Sequence, residues 1–499
     1  MIFLNEKDGP DEKDGRDLLP GSEDGWGGAV IRPCSFPMVS HKWRFILQLS
    51  VLKEFDNLPL AVIIMGSMSL FKKKTRPRVC VIGLDGVPYS LLLELAQKGI
   101  MPGTARLIGT GHLHKMKASL PEISAVSWTD FMTGTNSGTH GIFGFTDFKP
   151  NSYEIRFPSF LDLKVKTFWD LLGDNGKNCI IINQPSTYPA RKIPGVLISG
   201  FVAIDIAKAV YPLSYKTALE QMGYQIDIDT LKAREDHDFL WRELSKTMAG
   251  RQKALNYFWE EDWDYFEFVI TGTDRLHHFL WTAYEDPSHP YHQNFLDYYR
   301  QIDSIINKIS TSFLKHTKGE EFLYLLSDHG FTKIEQEVYL NTWLEKEGYL
   351  KFASLTPKGV EDICAESRAF VLDPNRIYLN LKKKFPKGCV EPTEKKALRE
   401  EIKKKLEKLE YQGKKVVRQV FQAEEVYSGP FVSKGPDLIA ISENGFDLKG
   451  SVKKKEVFGR SNLQGMHTWD DAFFWAKEDH GPDLSISHLA KIILENFHD

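Results

Sequence analysis

Val79-Cys-Val-Ile-Gly-Leu84, followed at once by Asp85, is a short apolar run that closes on a carboxylate. The pattern returns twice: Tyr265 to Ile270 runs up to Asp274, and Phe322 to Leu326 runs up to Asp328. Runs of this kind read as strands buried on both faces of a parallel sheet, and in open α/β sheets the ligand crevice lies beyond the carboxyl ends of the strands. Three strand-end carboxylates are therefore expected at one crevice. Behind them come Asp274-Arg-Leu-His277-His278, Asp328-His329 and the late Gly465-Met-His467, carboxylates and imidazoles of the kind that bind divalent cations. These residues predict a chain that holds two metal ions.

Outward from the first run, strand and helix patterns alternate. A helix is expected near Tyr89 to Gln97, a strand near His112 to Ala118, a helix after Ser124, another near Thr167 to Leu172, and a strand over Cys179 to Ile182. Long helical patterns from about Phe239 to Trp259 and from about Asn294 to Ile309 flank the strand Tyr265 to Ile270. Such alternation implies an α/β fold, a mostly parallel sheet with helices on both faces. Between 350 and 455 the texture changes to short strands, Arg376 to Leu381 and Val416 to Phe421, around a helix on which Leu398, Ile402, Leu406 and Leu409 share one face. This stretch is expected to be an inserted small α+β cap domain, with 78–349 and 456–499 forming the catalytic core. Its lysine runs, Lys382 to Lys384, Lys403 to Lys405 and Lys453 to Lys455, read as solvated faces. The core resumes with a strand near Ala472 to Ala476 and a closing helix from about Ser485 to Asn496.

Residues 1–24 hold eight acids against three bases, too polar a stretch to bury a core of its own. Residues 1–77 are accordingly expected to be a disordered or loosely attached extension, with Met68 a plausible true start. Over the whole chain 64 basic residues meet 67 acidic ones, a net charge of -3. That balance argues against a nucleic-acid polymer or a membrane surface as partner. The apolar stretch Leu58 to Leu70 contains Pro59, Gly66 and Ser67 and is too short to span a bilayer, which takes about 20 residues. Five scattered cysteines without a C-x-x-C pair fit a reducing compartment, and the expected location is cytoplasmic. The sequence carries no signal for an oligomeric state.

A metal pair also needs a nucleophile. In Leu120-Pro-Glu-Ile-Ser124-Ala-Val-Ser-Trp-Thr-Asp-Phe-Met-Thr-Gly134, Ser124 follows a strand and opens a helix, whose free N–H groups and positive end favour an anion. Read alone, Ser124 is equally a plain N-cap. With the metal set in place, the constellation resembles the alkaline phosphatase superfamily and, within it, the type I phosphodiesterase and nucleotide pyrophosphatase branch. The resemblance covers about Arg78 to the C-terminus outside much of the insertion. It implies an alkaline phosphatase-like fold in which Asp85 is the first metal aspartate and Ser124 the nucleophile, ten residues before Gly134. Asp274 and His278 match the D-x-x-x-H pair, Asp328 and His329 the D-H-G motif, and His467 the late G-x-H histidine. By that likeness Asp85, Asp328, His329 and Ser124 hold one metal, and Asp274, His278 and His467 the other. Zinc suits these ligands and manganese is compatible.

Spacing adds to this. Asp274 and His278, four apart, share a face if their segment is helical, and Gly330 is expected to give the turn after Asp328-His329 its freedom. Packing or backbone bonding is the reading for His277, His140 and Arg275. The implied chemistry is hydrolysis of a small-molecule phosphate ester, a phosphodiester or nucleotide pyrophosphate, through a phosphoseryl intermediate. A phosphomutase resembling cofactor-independent phosphoglycerate mutases, a phosphomonoesterase and a non-catalytic binding protein are the alternatives. Gly141-Ile-Phe-Gly-Phe145 lacks the Asn with which related pyrophosphatases touch a phosphate oxygen, and Val126 and Trp128 stand where sulfatases carry Pro and Arg.

Overall fold

The computed structural model describes residues 76–316 and 321–497. All of the expected extension except its last two positions lies outside that range. Nine strands make the main sheet: β1 (Arg78–Leu84), β2 (His112–Lys117), β3 (Cys179–Gln184), β4 (Gly195–Ser199), β5 (Val210–Tyr211), β6 (Tyr265–Ile270), β7 (Glu321–Leu326), β8 (Ala472–Ala476) and β9 (Leu484–Ser485). Their order across the sheet is β9-β2-β8-β7-β1-β6-β3-β4-β5. β1 lies between β7 and β6, parallel to both, and β3 and β4 continue the parallel run, while β5 and β8 enter antiparallel.

The apolar runs are strands because both faces of the sheet are covered. Val79, Val81, Tyr265 and Val269 pack into a cluster with Trp128 and Phe131 of α1 (Ser124–Thr133). On the opposite face Phe266 meets Trp259 of the helix His237–Trp259, with ring centroids 5.1 Å apart, and Trp259 in turn meets Phe313 of the helix His292–His316. Each fully buried Val, Ile or Phe stabilises the fold by roughly 1.5–3 kcal/mol. Gly83 is required by this packing: a Cβ there would sit 2.6 Å from Trp128 Cη2.

Between 350 and 455 the strands Ala369–Leu372, Arg376–Leu379, Leu438–Ser442 and Val417–Gln422 form a four-stranded antiparallel sheet in that order, beside the helix Lys395–Leu406. That helix buries Leu398, Ile402 and Leu406 but ends there; Leu409, expected on the same face, belongs to the following turn and packs only partly against the same cluster. Lys384 also departs from the solvated reading: its ammonium lies over the rings of Tyr378 and Phe385 and donates to the Gly435 carbonyl at 2.9 Å. Among the described residues no helix is long and apolar enough to cross a membrane.

Candidate metal centre

The three central strands end together. In register Gly83 pairs with Val269 on one side and Leu326 on the other, so the residues that follow emerge side by side. Asp85 comes directly after β1, its N–H donating to Ile270 O at 2.9 Å. Asp328 and His329 follow β7. After β6 the chain enters α2 (Gly272–Glu285), which puts Asp274 and His278 one turn apart on a shared face. His467 lies on the strand Gly465–Thr468, antiparallel to Gly330–Lys333, where Phe331 pairs with His467. Gly330 does not take a positive φ, so what its missing side chain gives here is not a left-handed turn. It permits close approach, since a Cβ there would meet Thr468 Oγ1 at 2.3 Å.

Ser124 is the first residue of α1, and the N-cap is Ile123, with no side-chain capping bond. The serine hydroxyl therefore does not serve the helix. Its Oγ lies 3.3 Å from Asp85 Oδ1 and 3.1 Å from His329 Nε2. The structure thus gathers Asp85, Ser124, Asp274, His278, Asp328, His329 and His467. Ligand atoms of Asp85, Asp328 and His329 lie within 4.8 Å of one another, and so do those of Asp274, His329 and His467. His278 joins the second group through Asp274 Oδ1 at 3.3 Å and His467 Nε2 at 3.0 Å. The division differs from that implied by the resemblance in one respect, because His329 stands in both groups.

Tautomers decide what this cluster can hold. His278 Nδ1 contacts Gly465 O at 2.9 Å, His467 Nδ1 contacts Glu122 O at 2.8 Å and His329 Nδ1 contacts Gly330 O at 3.0 Å. A carbonyl only accepts, so each Nδ1 carries the proton. Burial keeps the His278 and His467 rings below the usual imidazole pKa, hence neutral. Their Nε2 lone pairs then face each other and Asp274 Oδ1, which is 3.2 Å from His467 Nε2, with no proton to share. Three acceptors at such distances make a donor set suited to a cation.

The carboxylates say the same. Burial, then the charges of Asp328 and Asp274, pushes the Asp85 carboxyl well above the usual range, and burial pushes Asp328 up to about 8. Asp328 Oδ1 accepts from Gly86 N–H at 2.9 Å, whereas its buried Oδ2 has no hydrogen-bond partner. A mixed carboxylate and imidazole set with an orphaned buried oxygen fits divalent metals of the zinc or manganese kind.

Sequence reasoning passed over several groups that orient this set. Trp128 Nε1 donates to Asp85 Oδ2 at 2.8 Å. Arg275 Nη1 lies 2.5 Å from Asp274 Oδ2, while its Nε and Nη2 donate to Asp227 at 3.2 and 2.6 Å and its guanidinium lies over Phe201. Burial pushes the Asp274 carboxyl up, yet it is held well below its ordinary pKa, with the Arg275 guanidinium beside it favouring the charged form. Asn375, from the turn between the first two strands of the smaller sheet, donates to Glu122 at 3.2 Å, two residues before Ser124. For Arg275 the only available signal was adjacency to Asp274; Asp227 and Asn375 carry no motif. His277 and His140 serve packing and bonding, His277 between Gly86 O and the Tyr299 hydroxyl, His140 against Asp130 at 2.6 Å.

The profile of the type I phosphodiesterase / nucleotide pyrophosphatase family matches residues 79–470. Among solved structures, phosphonoacetate hydrolase from Sinorhizobium meliloti 1021 in complex with phosphonoacetate superposes with a TM-score of 0.58 at 15% identity, covering 85% of this chain and 96% of that one. The alkaline phosphatase PafA superposes with a TM-score of 0.52 at 12% identity, again over 85% and 96%. Both likenesses concern the fold, which is alkaline phosphatase-like. No curated protein sequence matches the chain.

Proposed function

Because the chain belongs to the type I phosphodiesterase / nucleotide pyrophosphatase family, and is thus a phosphoric ester hydrolase, we propose that it cleaves phosphodiesters or nucleotide pyrophosphates through a phosphoseryl intermediate on Ser124. One observation carries this reading: the Ser124 hydroxyl, excused from capping α1, lies 3.1 Å from His329 Nε2 and 3.3 Å from Asp85 Oδ1. Asp85, Asp328, His329 and Ser124 would hold one divalent ion and Asp274, His278 and His467 the other, zinc by preference, supplying Lewis-acid charge to the serine oxygen and the phosphoryl group when bound.

The chain's own groups account for the remainder. Ser124 Oγ attacks phosphorus in line, losing its proton to solvent as the P–Oγ bond forms and the ester or pyrophosphate P–O bond breaks, and the leaving alkoxide or phosphate departs and takes up a proton from solvent. The N-terminal end of α1 favours the negative charge of the phosphoryl group. Water then cleaves the P–Oγ bond, releases the phosphate product and restores the serine. Carbonyls of Gly465, Glu122 and Gly330 hold the three imidazoles in one tautomer throughout. Arg275 compensates part of the negative charge at Asp274. The free thiols of Cys80, Cys179, Cys364 and Cys389 support the proposed cytoplasmic location.

The test is a panel of bis(4-nitrophenyl) phosphate, 4-nitrophenyl phosphate, 4-nitrophenyl sulfate, a dinucleotide pyrophosphate and a phosphorylated sugar acid, each with zinc or manganese. Turnover of the diester or the pyrophosphate, with acid-quenched protein carrying phosphate on Ser124, is the expected result. Isomerised sugar acid without free phosphate would instead indicate a mutase, and hydrolysis of the monoester alone a phosphomonoesterase.

A further inference from the structure

A second set of metal-type ligands lies away from the catalytic centre, at the far edge of the main sheet. β2 pairs antiparallel with β8, so that His112 faces Ala476 and His114 faces Phe474 across the ladder. Two residues apart on one strand, His112 and His114 project from the same face. Their rings are nearly parallel, 10° apart in plane with centroids separated by 6.3 Å. The chain after β8 turns back and brings Asp479 against both: its Oδ1 lies 2.7 Å from His114 Nε2 and its Oδ2 lies 3.7 Å from His112 Nδ1.

The turn that presents Asp479 is itself specified. Gly481 takes φ +76°, and its N–H donates to Asp479 Oδ1 at 2.8 Å. The carboxylate is thus aimed by backbone and does not wander as a free surface side chain would. One ligand atom from each of the three residues falls within a set no more than 4.8 Å across. Next to Asp479, the buried Nε2 of His480 has no hydrogen-bond partner.

We propose that His112, His114 and Asp479 form a binding site for a divalent d-block cation of the zinc class, separate from the catalytic pair. Two imidazoles and one carboxylate make a donor set that zinc, copper(II) or nickel(II) prefers, whereas calcium and magnesium select oxygen ligands. In a tetrahedron of zinc–nitrogen bonds of about 2.0 Å neighbouring ligand atoms stand roughly 3.3 Å apart. The existing spread closes to that by small side-chain rotations. His112 and Asp479 have side chains 49% and 55% exposed, which admits an ion from solvent and leaves the outer coordination positions to water. An ordinary surface ion pair would need only His114 and Asp479; the second imidazole, in register on the strand, is what a chelate requires.

Location gives the site its role. β2 runs parallel to β1, so its first residues lie at the end of the sheet opposite Asp85. An ion there ties β2 to the segment between β8 and β9 and thereby closes the sheet edge, β9-β2-β8. It binds the folded chain and not the unfolded one, so it raises thermal stability without entering the reaction.

The experiment dialyses the full-length chain against buffered free zinc and counts ions per chain by mass spectrometry, for the parent, for His112→Gln and for His114→Ala. Melting temperature with and without zinc, and hydrolysis of a chromogenic phosphate ester, are measured on the same samples. Each variant is expected to carry one zinc ion fewer than the parent, to show a smaller zinc-induced rise in melting temperature, and to hydrolyse at the parental rate. Equal zinc content in the parent and both variants overturns the proposal. So does loss of an ion together with loss of hydrolysis, because the ion then came from the catalytic centre.

Discussion

Glu267 offers a perturbation whose size follows from its surroundings. It lies in the middle of β6, paired in register with Val81 and Ile181 on the two neighbouring strands, and is fully buried. Tyr265 donates to its Oε2 at 2.7 Å, while Oε1 has no hydrogen-bond partner. Burial raises its pKa from 4.5 to about 8. A raised carboxyl pKa means that folding prefers the protonated form, so its contribution is fully present below the unfolded value and is lost as pH climbs toward the folded one. Each pKa unit is worth about 1.4 kcal/mol. At pH 7 the folded group stays protonated while the unfolded carboxyl is ionised, a cost of about 3 kcal/mol against less than about 1 kcal/mol at pH 5. Glu267→Gln keeps the shape and the acceptor for Tyr265 but cannot titrate. Its unfolding free energy in urea, relative to the parent, should therefore rise by about 2–3 kcal/mol between pH 5 and 7 and level off above pH 8. Because the proposed metal ligands are common to both proteins, their own pH dependence cancels in the difference. A difference that stays constant over this range would mean that Glu267 is already ionised in the fold, and the burial argument would fail.

Ser124→Ala should abolish turnover while metal content, counted by mass spectrometry, stays near that of the parent; persistent turnover removes Ser124 from its role. His467→Ala should lose one ion of the pair more readily than the other in a chelator titration, and simultaneous loss of both would refute the assignment of His467 to a single ion. Arg275→Met leaves Asp227 and Asp274 without their shared cation and should weaken metal binding about 10- to 100-fold, read by competition with a chelating dye; unchanged affinity would show that Arg275 does not hold Asp274 in place. Gly83→Ala drives a methyl group against Trp128, 2.6 Å from Cη2, and should destabilise by about 1–3 kcal/mol; a neutral effect in urea unfolding would show that Trp128 has room to shift.

The seven clustered side chains were legible because each sits beside a local signal. Asp85, Asp274 and Asp328 follow strands whose apolar character is set by burial on both faces, and burial of that kind shows directly in composition. His278 is fixed by helical spacing from Asp274, and His329 by adjacency to Asp328. The short strands β4, β5 and β9 carried no comparable signal, since runs of two to five residues gain their state from the neighbours they pair with. Nor did Leu409 reveal that its helix stops at Leu406. Asp227, Asn375 and Glu122 were invisible for the same reason: each acts on the site across dozens or hundreds of residues, through a contact that exists only after the sheet has formed.

The sharing of His329 between the two groups follows from this geometry and was hidden in the motif. D-H-G places His329 next to Asp328, which suggests one ion. In the fold its Nδ1 is pinned by its neighbour's carbonyl, Gly330 O, and its ring stacks on that of His467 with centroids 3.7 Å apart. Nε2 is thereby held toward Ser124 and both carboxylate groups at once. The backbone carbonyls that fix the three rings come from Glu122, Gly330 and Gly465, on three segments joined only by the sheet and its crossing loops. Rotating one ring out would break its carbonyl bond and strand a buried N–H, at a cost of about 1–3 kcal/mol. The acceptors are thus kept at close range by bonds that do not involve any ion, so that the proposed cation site would be formed before a cation arrives, leaving its ligands little ordering to do on binding.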